Sequence, residues 1–327
     1  MTQAPAISRD DQPPQTARAS SGYHLVQRIR LLSAMVVSAL VFWYFGWWAA
    51  KPNDPKGPVT LLMVEQGVVT MAEMLGLAVV VSGLAVAICG AGSAERGPLA
   101  VAVGLAALGL RGGQMDRLVL HRLTSTSAND TVLDPYPVWS FIAETWLWIA
   151  LIGVGFVVGR WVESWFDSAT EDAAQHQHEV NHATDIHQGV GTVAVAFFIA
   201  WTIVSFATGS YEAPLLKGQI YFALIFAFLL ASLVAHWFFQ MSARVWTLLA
   251  VALVATAGYV YGQPEIPDGA YSTGTYVTLS SLARPVPLEY AALGSIGVLL
   301  EADFMSVICA TFGLSESDRE RPSGTKG

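Results

Sequence analysis

The side chains best suited to chemistry in this sequence are charged groups close to long apolar runs. One set, the first polar cluster, belongs to the first half of the chain: Glu73, Arg111, Gln114, Asp116, Arg117 and Glu144. A charge is costly in lipid, so it usually faces protein or a water-filled cavity. Such a cluster could bind an ion or a small polar ligand. Alternatively it is a structural ion-pair network, with Arg111 paired to Glu73 or Glu144.

A second polar cluster is predicted near the end of the chain and consists of His236, Arg244, Glu301 and Asp303. Glu301 lies 13 residues into an apolar run that starts at Leu288, which is about 20 Å of helix. A carboxyl group at that depth is protonated, paired or in contact with water. The two clusters could be the two ends of a pathway. Alternatively the last run forms two short amphipathic pieces, and Glu301 and Asp303 are solvated.

The polar stretch 160–188 contains histidines among acidic residues. If it is helical, one face presents four metal-ligating side chains: Glu171, His178, His182 and Asp185. Their spacing is adequate for a zinc, nickel or copper ion. However, the apolar runs lack the paired histidines and aspartates with which metal carriers move their cargo. The favoured interpretation is a solvated acidic linker. No cofactor is predicted beyond a divalent metal at this linker, which is the less favoured reading.

Composition indicates the environment that must position these groups. Hydrophobic residues make up 54% of the 327 residues, charged residues 13%, and the mean hydropathy is +0.48. Soluble domains have about 25% charged residues, so the composition predicts a bilayer protein. Tryptophans flank several apolar runs, as they do at membrane interfaces. The net charge is −8 and no basic patch contains interleaved aromatic residues, which argues against nucleic-acid binding.

Apolar runs of about 20 residues predict membrane-spanning helices. Eight candidates occur, at 31–50, 67–90, 98–118, 138–159, 189–208, 218–240, 245–262 and 288–313. Seven are clear, whereas the eighth is interrupted by Glu301 and Asp303. The predicted fold is therefore an all-α integral membrane protein with about eight transmembrane helices.

The basic residues beside the runs predict the orientation of the chain. Arginines fall mainly on the side of the N-terminus, which the positive-inside rule makes cytoplasmic. We therefore expect a plasma (inner) membrane protein with a cytoplasmic N-terminus. The predicted divisions are a disordered cytoplasmic tail (1–28), a first four-helix unit (29–159), the linker (160–188), a second four-helix unit (189–313) and a cytoplasmic tail (314–327).

An internal repeat is predicted because the fifth to seventh runs resemble the first to third. Arg96 precedes the third run and Arg244 precedes the seventh, 148 positions later. Near the end of the third run the pair Gly113-Gln114 matches the pair Gly262-Gln263 at the end of the seventh run. Each unit has four spans, and because this number is even, the two copies would be parallel and related by an axis along the membrane normal.

The sequence lacks a nucleophile elbow, HExxH, a Walker loop and a dinucleotide fingerprint, which argues against most enzymes. The favoured hypothesis is a non-catalytic subunit or scaffold of a membrane complex, associated with other membrane subunits or with itself. Small residues such as Gly104, Ala107 and Gly109 favour the close helix packing that this needs. The alternative is a transporter or channel for an ion or small polar solute. An intramembrane enzyme is a distant third.

Overall fold

A computed structural model describes residues 15–54, 57–61, 66–90, 93–129, 136–167, 182–207, 216–239, 244–262 and 279–312. All regular elements in these ranges are helical. Helix α1, Gln15–Val41, continues through a π-helical turn, Phe42–Gly46, into Trp47–Ala50. The others are α2 Gly67–Cys89, α3 Arg96–Arg111, α4 Met115–Asn129, α5 Val138–Asp167, α6 His182–Ala207, α7 Lys217–Phe239, α8 Arg244–Tyr261 and α9 Pro287–Phe312. A 3-10 turn, Ser281–Ala283, precedes α9.

Within the described ranges, six helices are long and apolar enough to cross a membrane. They are Leu25–Ala50 in α1, Gly67–Cys89, Val138–Trp165 in α5, Ile186–Ala207 in α6, Lys217–Phe239 and Arg244–Tyr261. The chain is therefore an all-helical protein with the character of a multi-pass membrane protein. The predicted count of eight spans is not confirmed, because α3 and α9 are not among the six. Helix α3 has only 16 residues, and α9 contains Glu289, Glu301 and Asp303.

Helices α3 and α9 form the centre of the bundle. Helix α9 packs against α3, α5, α7 and α8, while α3 packs against α1, α2, α5 and α9. Every residue from 285 to 299 is buried, as expected for a helix that is apolar on all sides. The surrounding helices carry large exposed apolar side chains, such as Leu32, Val79, Phe198 and Phe222. Such side chains are suited to contact with lipid acyl chains.

The helices run alternately between two ends of the bundle. We name the end that contains Arg96 and Arg244 the proximal end, and the end that contains Tyr136 and Tyr259 the distal end. Exposed tryptophans occur at both ends of the bundle: Trp48 and Trp139 are distal, and Trp161, Trp165 and Trp237 are proximal. Within α5, 22 residues separate Trp139 from Trp161, or about 33 Å of helix. This matches a hydrocarbon core of about 30 Å between two aromatic belts.

Several boundaries differ from those that the sequence predicts. The third apolar run, expected to reach Leu118, ends as a helix at Arg111 because the chain turns at Gly112 and Gly113. A Cβ at Gly112 would lie 2.8 Å from Val59 N, so this close approach requires glycine. Helix α9 continues unbroken past Glu301 and Asp303, and does not divide into two short pieces.

The ends of three helices extend into segments that were predicted to be polar connections. Helix α1 begins at Gln15, inside the predicted tail 1–28. Helix α5 continues to Asp167 and α6 begins at His182, both within the predicted linker 160–188. The tail from residue 314 and the middle of the linker lie outside the described residues. Helical structure thus occupies both ends of the linker.

Close packing of α3 depends on its small residues. A Cβ at Gly104 would overlap Phe42, and one at Gly109 would lie 2.7 Å from the Tyr221 hydroxyl. Gly104 therefore lets α3 approach α1, and Gly109 leaves room on α3 for the Tyr221 side chain of α7. In addition, the Ser38 hydroxyl donates to the carbonyl of Ala100 across the first of these contacts.

Candidate functional site

The first polar cluster is dispersed in the structure. The Arg111 guanidinium donates to the carbonyl of Trp43 at 2.9 Å and lies over the rings of Trp43 and Trp47, 5.6 and 4.4 Å from their centroids. Glu73 is exposed on α2. The expected pairing of Arg111 with Glu73 or Glu144 is therefore wrong. Two indole rings and a carbonyl stabilise the guanidinium instead, through cation–π and hydrogen-bond contacts.

The remaining polar residues of that cluster lie at the start of α4. The Asp116 carboxylate accepts a hydrogen bond from the backbone N–H of Arg117 at 2.9 Å. Gln114 and Asp116 are half-buried and Arg117 is exposed. An acidic side chain in the first helical turn interacts favourably with the free N–H groups of the helix. Asp116 therefore has a local role at this helix start.

Glu144 is buried at the distal end, with 3% of its surface exposed. Its Oε1 accepts two hydrogen bonds, from Leu61 N at 2.9 Å and from Trp148 Nε1 at 3.0 Å. Leu61 belongs to the segment 57–61, whose first four residues are buried and which is tied to the end of α3 by Gly113 N donating to Gly57 O at 2.7 Å. The segment 57–61 closes the bundle over Glu144.

A second buried carboxyl group at this end was missed by the sequence reasoning. Glu289, 1% exposed, lies with Oε1 3.4 Å from Lys217 Nζ, and Oε2 accepts from Val286 N at 3.1 Å. The Lys217 ammonium also donates to the carbonyl of Gly109. The sequence did contain a signal: Pro287 at the first helical position and glutamate two residues later form the pattern of a helix start.

Aromatic side chains connect the two buried carboxyl groups. Phe141, one turn before Glu144, lies 5.5 Å from Tyr259 between ring centroids, and Tyr259 lies 5.8 Å from Tyr290, the neighbour of Glu289. The tyrosine hydroxyls donate to backbone: Tyr259 to Pro285 O and Tyr290 to Leu282 O, both at 2.8 Å. We call Glu144, Lys217, Tyr259, Glu289 and Tyr290 the distal polar site.

Tyr136 lies just before α5 and packs edge-on against Phe141, with ring centroids 5.1 Å apart. Burial raises the pKa of the Tyr136 phenol above its usual range, because the phenolate would lose its hydration. The phenol therefore stays neutral, like the tyrosines that hydrogen-bond to backbone carbonyls. The distal polar site is enclosed by neutral aromatic groups.

The second polar cluster is brought together at the proximal end. His236 Nδ1 lies 3.5 Å from Glu301 Oε1, and the Ser232 hydroxyl donates to Glu301 Oε2 at 3.3 Å. Two nitrogens of Arg96 contact the Asp303 carboxylate at 2.5 and 2.8 Å. Glu301 is thus paired, one of the states expected for a carboxyl group at that depth.

Two residues of this network were not singled out from the sequence. Arg96 is the partner of Asp303, and Glu95 is the partner of Arg244. Each arginine therefore reaches from its own half of the chain to a carboxylate in the other half. We call Glu95, Arg96, Arg244 and Asp303 the proximal ion-pair network.

The predicted metal ligands of the linker are not assembled by the described part of the chain. Glu171 and His178 lie outside the described residues, and His182 and Asp185 begin α6 without a described side chain. Among the residues that the structure describes, no three histidines, cysteines or acidic residues are placed to hold a metal ion. The linker site therefore stays a prediction.

No family model, curated protein or solved structure matches the chain. What the geometry provides is a bundle with two polar regions, one at each end. At the distal polar site, Leu61 of the segment 57–61 donates to Glu144, and aromatic rings lie between the two buried carboxyl groups. The proximal ion-pair network joins the two halves of the chain.

Proposed function

We propose that this protein is a non-catalytic structural subunit, or scaffold, of a membrane complex. One observation carries the proposal: among the described residues, the charged groups inside the bundle are buried and contact other parts of the same chain. At the distal end, Glu144 and Glu289 are 3% and 1% exposed. A carrier or channel in this conformation would present such carboxylates to a water-filled cavity. Burial in internal contacts is what a structural role requires.

The internal contacts join the two halves at both ends. At the proximal end, Arg96 contacts Asp303 and Arg244 contacts Glu95. At the distal end, Lys217 of the second half donates to Gly109 O of the first. Buried ion pairs add little net stability compared with apolar residues, but they disfavour arrangements that leave a charge unpaired. These contacts therefore support a single fixed arrangement of the halves.

We also propose that the bundle consists of two parallel four-helix units, with α1, α2, α3 and α5 in the first and α6 to α9 in the second. In both units the first helix packs on the second and third, and the fourth packs on the second and third. The reciprocal contacts of Arg96 and Arg244, which occupy corresponding positions, support this relationship. One difference is that α2 packs closely on α3, whereas α7 and α8 have no comparably extensive contact.

For orientation, we propose that the proximal end faces the cytoplasm of a cell whose plasma (inner) membrane contains the protein. The basic residues beside the helix ends support this assignment, since Arg28, Arg30, Arg96, Arg160 and Arg244 all belong to that end and such residues are retained on the cytoplasmic side. The exposed apolar surface would contact lipid and the remaining subunits of the complex.

The test of the structural role is isolation of the tagged chain from its native membrane by gentle extraction, followed by mass determination of the intact particle. We expect a second protein at fixed stoichiometry, identified by mass spectrometry. An unrelated multi-pass protein with the same tag, extracted from the same membrane, is the control for non-specific association. A particle that contains only this chain, as monomer or homo-oligomer, would contradict the hetero-complex proposal.

A second candidate function is transport of an ion or small polar solute through the bundle. It is favoured by Glu144 Oε2, a buried carboxyl oxygen without a hydrogen-bond partner, which has capacity for a ligand. Flux into proteoliposomes would identify this function if Glu144→Gln abolished it. The matched control is Glu73→Gln, because Glu73 is exposed on α2. Absence of ion-selective flux in the wild-type protein would count against transport.

A further inference from the structure

The two oxygens of the Glu144 carboxyl group have different surroundings. Oε1 accepts both available hydrogen bonds, from Leu61 N and Trp148 Nε1. Oε2 is buried and has no hydrogen-bond partner. In the same segment as Leu61, the Thr60 side chain is 1% exposed, and its buried hydroxyl oxygen also lacks a partner. Two oxygens with free capacity are thus buried at the place where the segment 57–61 covers α5.

A carboxylate in this position needs a compensating positive charge. Burial of an ionised carboxyl group is strongly unfavourable, even after the protein relaxes around it. Two hydrogen bonds to one oxygen offset only part of that cost. An unpartnered Oε2 is therefore the position where a positive charge is missing.

Among the described residues, the nearest cations of α3 and α7 have other partners. Arg111 of α3 lies against Trp43 and Trp47, and Lys217 of α7 contacts Glu289 and Gly109. At the distal end of the helices that pack on α5, the titratable groups described are the exposed Glu73 of α2, Arg111 of α3, Tyr259 and the exposed Tyr261 of α8, and Glu289 and Tyr290 of α9. The other titratable groups described on these helices lie at the proximal end: Cys89, Arg96, Arg244, Glu301 and Asp303. The tyrosines are neutral and Glu289 has its own cation, so none of them neutralises Glu144.

We propose that Oε2 of Glu144 is the binding site of a monovalent cation, either a proton or an alkali-metal ion, enclosed beneath the segment 57–61. A single carboxylate matches a single positive charge, whereas divalent cations such as Ca²⁺ take six or more oxygen ligands. A proton would sit on Oε2 itself. An alkali-metal ion would use Oε2 with neutral oxygens, for which the Thr60 hydroxyl is the nearest candidate along the chain. This site does not depend on the scaffold role.

Infrared spectroscopy of the protein in lipid distinguishes the two cations. A protonated Glu144 gives a carboxylic-acid C=O band that Glu144→Gln removes and Glu73→Gln preserves. Trp148→Phe should shift this band to higher frequency, since it removes a hydrogen bond to the carbonyl oxygen Oε1. This second variant keeps the test valid if Glu144→Gln fails to fold, because Glu144 itself is unchanged.

An alkali-metal ion gives a different result. No acid band assignable to Glu144 would be seen, and the unfolding temperature would rise with Na⁺ or K⁺ in saturable fashion compared with choline chloride at equal ionic strength. Thr60→Val should weaken that ion response at least 10-fold in half-saturating concentration, whereas Thr60→Ser should retain it. The proposal is overturned if wild-type protein shows neither an acid band that depends on Glu144 and Trp148 nor a saturable response to either ion.

Discussion

Replacement of Gly155 by alanine should destabilise the bundle, whereas replacement of Gly153 on the same helix should not. Gly155 lies where α5 crosses the start of α3, and a Cβ there would be 2.8 Å from Pro98 Cα and 2.9 Å from Pro98 N. Both atoms are backbone and cannot rotate away. No atom lies within 4 Å of a Cβ at Gly153. The two positions therefore form a matched pair that differs only in packing.

The expected magnitude follows from comparing the two substitutions. A change from glycine to alanine favours the helix by up to about 1 kcal/mol at either position, and this contribution cancels in the difference. The steric contribution remains, because α3 and α5 must move apart, and overpacking of this kind costs about 1–3 kcal/mol. Unfolding free energies should differ by about 2 kcal/mol, which changes the folded-to-unfolded ratio about 30-fold.

The assay is reversible unfolding in mixed micelles, followed by tryptophan fluorescence, with the buried Trp148 as an internal reporter. Gly159→Ala provides an independent test, since its Cβ would overlap the carbonyl of Ala94, and it should be destabilising by a similar amount. Equal stability of Gly155→Ala and Gly153→Ala would refute the close crossing of α3 and α5.

Three further changes test other contacts. Reversal of one charge of the Arg96–Asp303 pair should weaken the fold and exchange of both should restore it. The pair is part-exposed, so a double-mutant cycle should give a coupling of about 0.2–1 kcal/mol, and zero coupling would contradict the pairing. Lys217→Met should cost about 3–5 kcal/mol by leaving Glu289 buried without its cation; a neutral effect in the same unfolding assay would show that Glu289 does not need it. Brominated lipids with bromine near the headgroup should quench Trp139 emission, measured as quenching lost in Trp139→Phe, and unchanged quenching would place that indole away from the lipid interface.

The membrane character of the fold could be predicted because it depends on run length and composition. The sequence also identified Glu301 and Asp303 as polar groups that need a partner or water, since charges within an apolar run must be paired or solvated. Their partners were harder to predict. Asp303 contacts Arg96 across 207 positions of sequence, and local patterns carry no information on a pairing of that separation.

The first polar cluster shows a different limit. Opposite charges expected at the same depth on neighbouring helices favoured a pairing of Arg111 with Glu73 or Glu144, but tertiary packing gave Arg111 two indole faces and a carbonyl. Glu289 escaped notice because an acidic residue at a helix start is common and is usually solvated. Its burial depends on α3 and α7, whose positions the sequence around Glu289 does not encode.

Access of water to the environment of Glu144 is measured most directly by thiol labelling. In a variant without native cysteines, Cys89→Ser with Cys309→Ser, single cysteines are introduced as Thr60→Cys and, as a reference exposed beyond the end of the first span, Asn53→Cys. A membrane-impermeant thiol reagent added to proteoliposomes should label position 53 readily and leave position 60 unmodified, as a closed structural site requires. Labelling of both positions at similar rates would contradict the closed site and indicate a water-filled path to Glu144.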